Sequence, residues 1–273
     1  MEEPEDRSYW QRFPASAQSL VPKNIWRLST QPSGMLVRFR TNASLVVINV
    51  TRLDFSPNTD DIFTTNGKYG IDVHLQDPSE KNFGNWRWAA TEASTSVKAL
   101  GSLVLPLSGV EVPPPDGLHN VTVYLPTYIA CGNLTVGVKP PTAALMPLKQ
   151  YDPSERPLYV WGSSIAQGGV VTNAGMTWPS NLQRILGVPM LNFGFSGSCG
   201  MQPTVAAQLA KAQPPPRALL IDCLPNLQQA SATQVMIELE LICTSVYMYI
   251  LFLDRFGSEM YKFYAKHMYT NNI

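Results

Sequence analysis

The chain has 273 residues, 45% of them hydrophobic and 15% charged, with 20 basic side chains against 20 acidic ones. So apolar a composition excludes a long disordered protein and can fill one large domain or two of ordinary size. The balanced charge, with no basic stripe interleaved with aromatics, argues against nucleic acid as a partner.

The opening "MEEPEDRSYW" is acidic and polar, unlike a signal peptide, and residues 1–24 read as a leader segment. This favours a cytoplasmic location. The sequons at Asn42, Asn49, Asn120 and Asn133 then read as ordinary polar positions on strands or strand edges. From residue 25 to 140 the pattern is short runs of β-formers broken by Pro, Gly, Asn and Asp. "MLVRFRT" and "SLVVINVTRL" alternate apolar and polar side chains, the period of a half-buried strand. "YGIDVHL", "NWRWAA", "SLVLPL", "NVTVYLP" and "NLTVGVK" continue the series. So many short strands predict an all-β sandwich or jelly roll rather than a βαβ unit. Within it, His74 and His119 read as surface strand and turn residues. Trp86 and Trp88, two apart, read as core side chains on one face, with a sugar-binding platform as the alternative.

Residues 141–157 are proline-rich and read as a linker. The pattern then changes. "LYVWG" is a strand, and "TWPSNLQRILG" an amphipathic helix with Gly187 as its C-terminal cap. "VPMLNFG" is a second strand, "QPTVAAQLAKAQ" a second helix and "RALLIDCLPN" a third strand. Such alternation predicts a parallel sheet with helical crossovers over residues 158–235, of flavodoxin-like α/β type. The tail, residues 236–273, is dense in Tyr, Met and Phe. Its apolar core at 241–253 falls short of the roughly 20 residues a membrane helix needs, so a buried helix or strand is expected.

Cys131, Cys199, Cys223 and Cys243 show no C-x-x-C or Cys/His metal spacing, so they read as free thiols, and no metal or organic cofactor is expected. The chemistry gathers instead at the strand ends, where parallel sheets place functional residues. The first strand runs into Gly162-Ser163-Ser164, the second into Gly197, the third into Asn226. A serine hydrolase needs an exposed hydroxyl and donors aimed at a developing oxyanion. Ser164 offers the hydroxyl. The Ser164 and Gly197 N–H groups and the Asn226 side-chain amide offer three donors. Taken alone, Ser164 could equally be a helix N-cap, and Gly197 and Asn226 mere turn residues.

"GSSIAQGG", "NFGFSGS" and "DCLPN", in that order, resemble the first three blocks of the SGNH (GDSL-type) hydrolases. More narrowly they resemble a two-domain subgroup in which "GM-WP" follows the first block, as in Gly175, Met176, Trp178 and Pro179 here. "GIDVH" approximates that subgroup's G-x-D-L-Y motif, and "WRWAAT" and "VTVYLPTY" match the strands after it. The likeness covers residues 35–228. It implies a serine esterase acting through an acyl-enzyme on a small-molecule or carbohydrate acyl ester, with Ser164 as nucleophile and Gly197 and Asn226 in the oxyanion hole. Ser163 stands where the family has Asp and reads as a backbone-shaping neighbour. Asp222 reads as structural, and Gln167 and Asn192 as supports of the site loops.

The family's fourth block departs. Its general base is a histidine in D-x-x-H. After Asn226 the chain has only His267, three residues after Tyr264, which reads as a solvent-facing residue. Two further strands with their helices are missing as well, so the α/β domain reads as truncated and the tail as diverged. A serine without its base loses most of its catalysis. The expectation is an impaired esterase, against the alternatives of a non-catalytic pseudoenzyme, a carbohydrate- or small-ligand-binding protein, or a fragment whose second half folds poorly.

Overall fold

The computed structural model describes residues 10–52, 62–80, 83–93, 102–104, 114–148, 156–227 and 250–252. After helix α1 (Lys23–Ser29), the chain forms β1 (Leu36–Thr41), β2 (Leu45–Arg52), the short helix α2 (Thr65–Tyr69), β3 (Ile71–Gln76), β4 (Trp86–Glu92), β5 (Ser102–Val104), β6 (His119–Tyr124), β7 (Cys131–Lys139) and β8 (Leu145–Pro147). These strands build two antiparallel sheets, in the orders β4-β3-β6-β1-β8 and β5-β2-β7. Alternate residues of β2, β3 and β6 meet in one core: Val46, Ile48 and Val50 from the smaller sheet, and Ile71, Val73, Leu75, Val121 and Val123 from the larger. The strands expected from the alternating pattern are therefore present, and their apolar faces pack together. Strand β8 lies inside the proline-rich stretch, where it pairs with β1.

The second half forms β9 (Leu158–Gly162), α3 (Ser164–Gln167), α4 (Trp178–Leu186), β10 (Met190–Gly194), α5 (Pro203–Lys211), β11 (Ala218–Asp222) and β12 (Ile250–Phe252). Its four strands are parallel, in the order β10-β9-β11-β12. Helix α4 opens on Thr177, whose side chain accepts the Ser180 N–H, and closes on Gly187 in the left-handed conformation, as expected of its cap. Of the apolar tail segment, residues 250–252 form a strand that pairs with β11. Among the described residues no helix is long and apolar enough to cross a membrane.

One face of the parallel sheet packs on α4 through Val160, Met190, Leu220, Trp178 and Leu182. The other face packs on α5 and, unexpectedly, on the chain's beginning. Phe13, Ala17, Val21, Ile25 and Leu28 enter the same core as Tyr159, Trp161, Phe193 and Phe195. The Phe13 ring stacks on those of Phe193 and Phe195 at 5.4 and 5.5 Å. The stretch read as a leader thus supplies a layer of the second half. Burying each such large apolar side chain contributes about 1.5–3 kcal/mol, which is why it does not lie free.

Three sequence expectations about side chains need correction. His74 is not at the surface. Strand β3 is buried on both faces, because the turn at Ala174–Met176 covers the side turned away from the sandwich core, with the Arg184 charge of α4 nearby. His119 is also buried, beside the Asp77 and Arg87 charges. The two tryptophans part company as well. Trp86 is 8% exposed with the Arg38 guanidinium 5.3 Å from its ring, whereas Trp88, on the edge strand, is 52% exposed.

Candidate active site

Strands β10, β9 and β11 end in register, with Gly194 and Asp222 both opposite Gly162. The three sequence-nominated residues leave the sheet just beyond that line: Ser164 two residues after Gly162, Gly197 three after Gly194 and Asn226 four after Asp222. The parallel sheet therefore brings them to one edge, on three adjacent strands.

The first turn is shaped by Ser163, whose hydroxyl accepts the Ile165 N–H at 3.3 Å and caps α3. The cap role considered for Ser164 belongs to its neighbour. Ser164 opens the helix half-exposed, and among the described residues its hydroxyl has no hydrogen-bond partner. Its carbonyl is well occupied, accepting from the Gly168 N–H at 2.9 Å, the Gly169 N–H at 2.7 Å and the Tyr128 hydroxyl at 3.3 Å.

Gly197 has φ of +64°, a conformation costly for residues with a Cβ, and nothing stands within 4 Å of where a Cβ would lie. Its N–H, like that of Ser164, meets no acceptor among the described residues. Asn226 turns its Oδ1 inward to accept the Cys199 N–H at 3.1 Å, which leaves its Nδ2 available to donate. Cys199 and Cys223 are joined as a disulfide with Cα atoms 5.0 Å apart, correcting the reading of both as free thiols. They sit 24 residues apart in sequence, a spacing that carries no signal, and meet because β10 and β11 flank β9. Cys131 is a buried thiol that donates to the Ile129 carbonyl at 3.6 Å, and Cys243 lies outside the described residues.

A hydrogen-bonded frame holds these loops. Gln167 accepts the Ser196 N–H at 2.8 Å and donates to Gln31 Oε1 at 2.6 Å and to the Thr127 carbonyl at 3.1 Å. Asn192 donates to the Ala166 carbonyl at 2.7 Å and to Ser33 Oγ at 3.2 Å. Both residues tie the turns together, as expected of loop supports. Asp222 accepts from the Trp178 indole at 3.3 Å, and its carbonyl accepts the Ser163 N–H at 3.0 Å, in keeping with a structural role. Sequence reasoning missed Arg12. Its buried guanidinium donates to the carbonyls of Gly194, Asn192 and Leu28 at 2.5, 3.2 and 2.7 Å and lies over the Phe195 ring. Burial pulls its pKa down to about 9, so it stays charged at neutral pH.

Tyr128 and Asp72 are among the residues that join the sandwich half to this frame. Tyr128 reaches the Ser164 turn. Asp72 accepts the Gly175 N–H at 3.0 Å and contacts His74 Nε2 at 3.1 Å through one oxygen, and accepts the Thr91 hydroxyl at 2.6 Å through the other. A Cβ on Gly175 would stand 2.6 Å from that Asp72 oxygen, so only glycine fits. Burial holds the His74 pKa below its ordinary value, against the opposing hydrogen bond it makes to Asp72. Among the described residues no histidine bonds to Ser164, and His267 lies outside them.

Residues 2–143, more than half of the chain, match the GxDLY family, described as the N-terminus of SGNH-hydrolase-type esterases. The chain belongs to that family. Residues 155–252 match the GDSL-like lipase/acylhydrolase family. Among solved structures the fold resembles that of a protein assigned as a GDSL-like lipase from Bacteroides ovatus, with a TM-score of 0.73 and 23% identity over 90% of this chain and 68% of the other. It also resembles the salicylyl-acyltransferase SsfX3 of a tetracycline biosynthetic pathway, with a TM-score of 0.60 and 18% identity over 86% of this chain and 62% of that one. At these identities the likeness is one of fold, and this SGNH-type chain spans about two thirds of the length of either structure. No curated protein sequence matches it.

Proposed function

We propose that this chain carries an acyl-serine esterase site in which Ser164 is the nucleophile. One observation carries the reading. A half-exposed serine hydroxyl without a partner sits at the edge of a parallel sheet where the flanking strands present the open Gly197 N–H and the Asn226 amide. Family membership and the ordered blocks support the same assignment. We read the two antiparallel sheets as a jelly-roll-type module beside a flavodoxin-like SGNH unit, a reading that the two-sheet core and the parallel strand order favour.

In this mechanism the Ser164 Oγ attacks the carbonyl carbon of a carboxylic ester, of a small molecule or a carbohydrate, and gives its proton to a base. The N–H groups of Ser164 and Gly197 and the Asn226 Nδ2 hold the negative charge that develops on the carbonyl oxygen. Collapse expels the alcohol, which takes up a proton, and water then releases the acid and restores the serine. The family's base, the histidine of D-x-x-H, has no counterpart in these 273 residues, where Tyr264 stands three before His267. Slow ester hydrolysis is the activity we expect of these 273 residues by themselves. Removal of one triad member leaves a residual roughly 10³–10⁴-fold enhancement over water from the oxyanion hole and binding.

The test is hydrolysis of p-nitrophenyl acetate beside labelling by a fluorophosphonate, for wild type, Ser164→Ala and His267→Ala. Weak turnover and labelling that vanish in Ser164→Ala, with His267→Ala unchanged, is the expected result. Loss of both in His267→Ala would make that residue the base. Equal rates in wild type and Ser164→Ala would overturn the enzyme reading in favour of a ligand-binding protein.

A further inference from the structure

The stretch "VTVYLPTY" ends in a residue that the reaction above leaves without a task. Tyr128 lies on the loop after β6, in the sandwich half, yet its hydroxyl donates to the carbonyl of Ser164 at 3.3 Å. The Ser196 side chain lies near enough to the same phenol to favour its ionised form, against the larger effect of burial. Ser196 immediately precedes Gly197. One phenol thus hydrogen-bonds the turn that carries Ser164 and stands beside the loop that carries Gly197.

The ring is held from behind. Phe63 meets it edge-on, with centroids 4.8 Å apart, and the Tyr128 N–H donates to the Lys68 carbonyl at 3.3 Å. The neighbouring Thr127 donates its hydroxyl to the Gly67 carbonyl at 2.8 Å, and its own carbonyl accepts from Gln167 at 3.1 Å. The Tyr128 loop is therefore fixed to α2 on one side and to the α3 turn on the other. Burial raises the phenol's pKa, so it remains an O–H donor through neutral and mildly alkaline pH.

We propose that Tyr128 is a positioning residue of the esterase site, delivered by the sandwich half, which sets the spacing between the Ser164 turn and the Ser196–Gly197 loop. The inference rests on the proposed function and adds to it that the site is completed by the other half of the chain. A hydroxyl and an oxyanion donor act together only at a fixed separation, and a displacement of about 1 Å is enough to cost up to a hundredfold in rate. Gln167 joins the same two loops from inside the second half. Tyr128 closes the tie from outside it.

Tyr128→Phe removes the hydroxyl and keeps the ring against Phe63. Two readouts are made on the whole chain. In the first, the maximal rate of fluorophosphonate labelling at Ser164 should fall about tenfold while the probe concentration giving half that rate stays the same, the mark of lost alignment rather than lost binding. In the second, hydrogen exchange of peptides covering 160–170 and 194–200 should quicken, with the rest of the chain and Tm unchanged. Ser196→Ala should reproduce both effects, and the double variant should add little. Quickened exchange with an unchanged labelling rate would reduce Tyr128 to a packing residue and overturn the proposal, as would no change in either. If the wild type takes up no label at all, the esterase reading fails, and exchange alone then decides whether Tyr128 ties the two loops.

Discussion

Asp72 of strand β3 accepts the backbone N–H of Gly175 at 3.0 Å, and this bond fastens the sandwich to the turn that leads into α4. The carboxylate is fully buried and serves His74 and Thr91 as well. Asp72→Ala leaves two buried groups and the half-buried Thr91 hydroxyl without their acceptor and should destabilise the chain by about 2–4 kcal/mol in urea unfolding. Gly175→Ala, which pushes a methyl into the same oxygen, should cost about 1–3 kcal/mol.

His74 makes stability depend on pH. Its folded pKa lies below the ordinary 6.5 because burial disfavours the imidazolium, with Arg184 adding to the effect and Asp72 opposing it. The unfolded chain therefore binds a proton near pH 6.5 before the folded one does, so stability is full above that pH and falls as pH drops towards the folded pKa. His119 shifts in the same direction. His74 contributes up to about 1.4 kcal/mol per pH unit in that window. His74→Gln should flatten the fall in Tm between pH 6.5 and 5.5, and an unaltered slope would contradict it.

The Cys199–Cys223 bond joins the loop carrying Gly197 to the one carrying Asn226. Digestion without reductant should yield a cross-linked peptide pair containing both cysteines, and reductant should abolish it. Closing a loop of this length contributes about 2–4 kcal/mol, so Cys199→Ala should lower the unfolding midpoint accordingly.

Arg12 should be indispensable to the second half despite its place near the start of the chain. Arg12→Ala abandons three carbonyls and the Phe195 ring and should cost about 3 kcal/mol or more. Surface exposure of Trp161, followed by fluorescence during unfolding, reports on the core that Arg12 helps to close.

Much of the architecture was legible because both halves obey simple periods. Val46, Ile48 and Val50 alternate as a strand facing one core should, and Thr177 and Gly187 punctuate α4 with cap residues. The placement of Ser164, Gly197 and Asn226 just beyond three strand ends was legible as punctuation. What escaped was whatever depends on one half covering the other. His74 reads as an outward strand position until the Gly175 turn is laid over it. Cys199 and Cys223 read as isolated until the strand order brings β10 and β11 to either side of β9. Tyr128 and Arg12 act far along the chain from where they stand, and no local pattern encodes that.

Phe13 stacking on Phe193 at 5.4 Å has a consequence for synthesis. The core of the parallel sheet is assembled from two stretches of chain, with the entire sandwich threaded between them. As the chain leaves the ribosome its first hydrophobic residues wait, exposed, while the sandwich is made and folds, and find their seat only when β10 has followed. Contacts of such sequence separation close slowly. An exposed apolar segment during that interval is where a chaperone would bind and where aggregation would begin. Deleting residues 10–22 would spare the nascent chain that hazard and leave this face of the finished sheet covered by α5 and α1 alone.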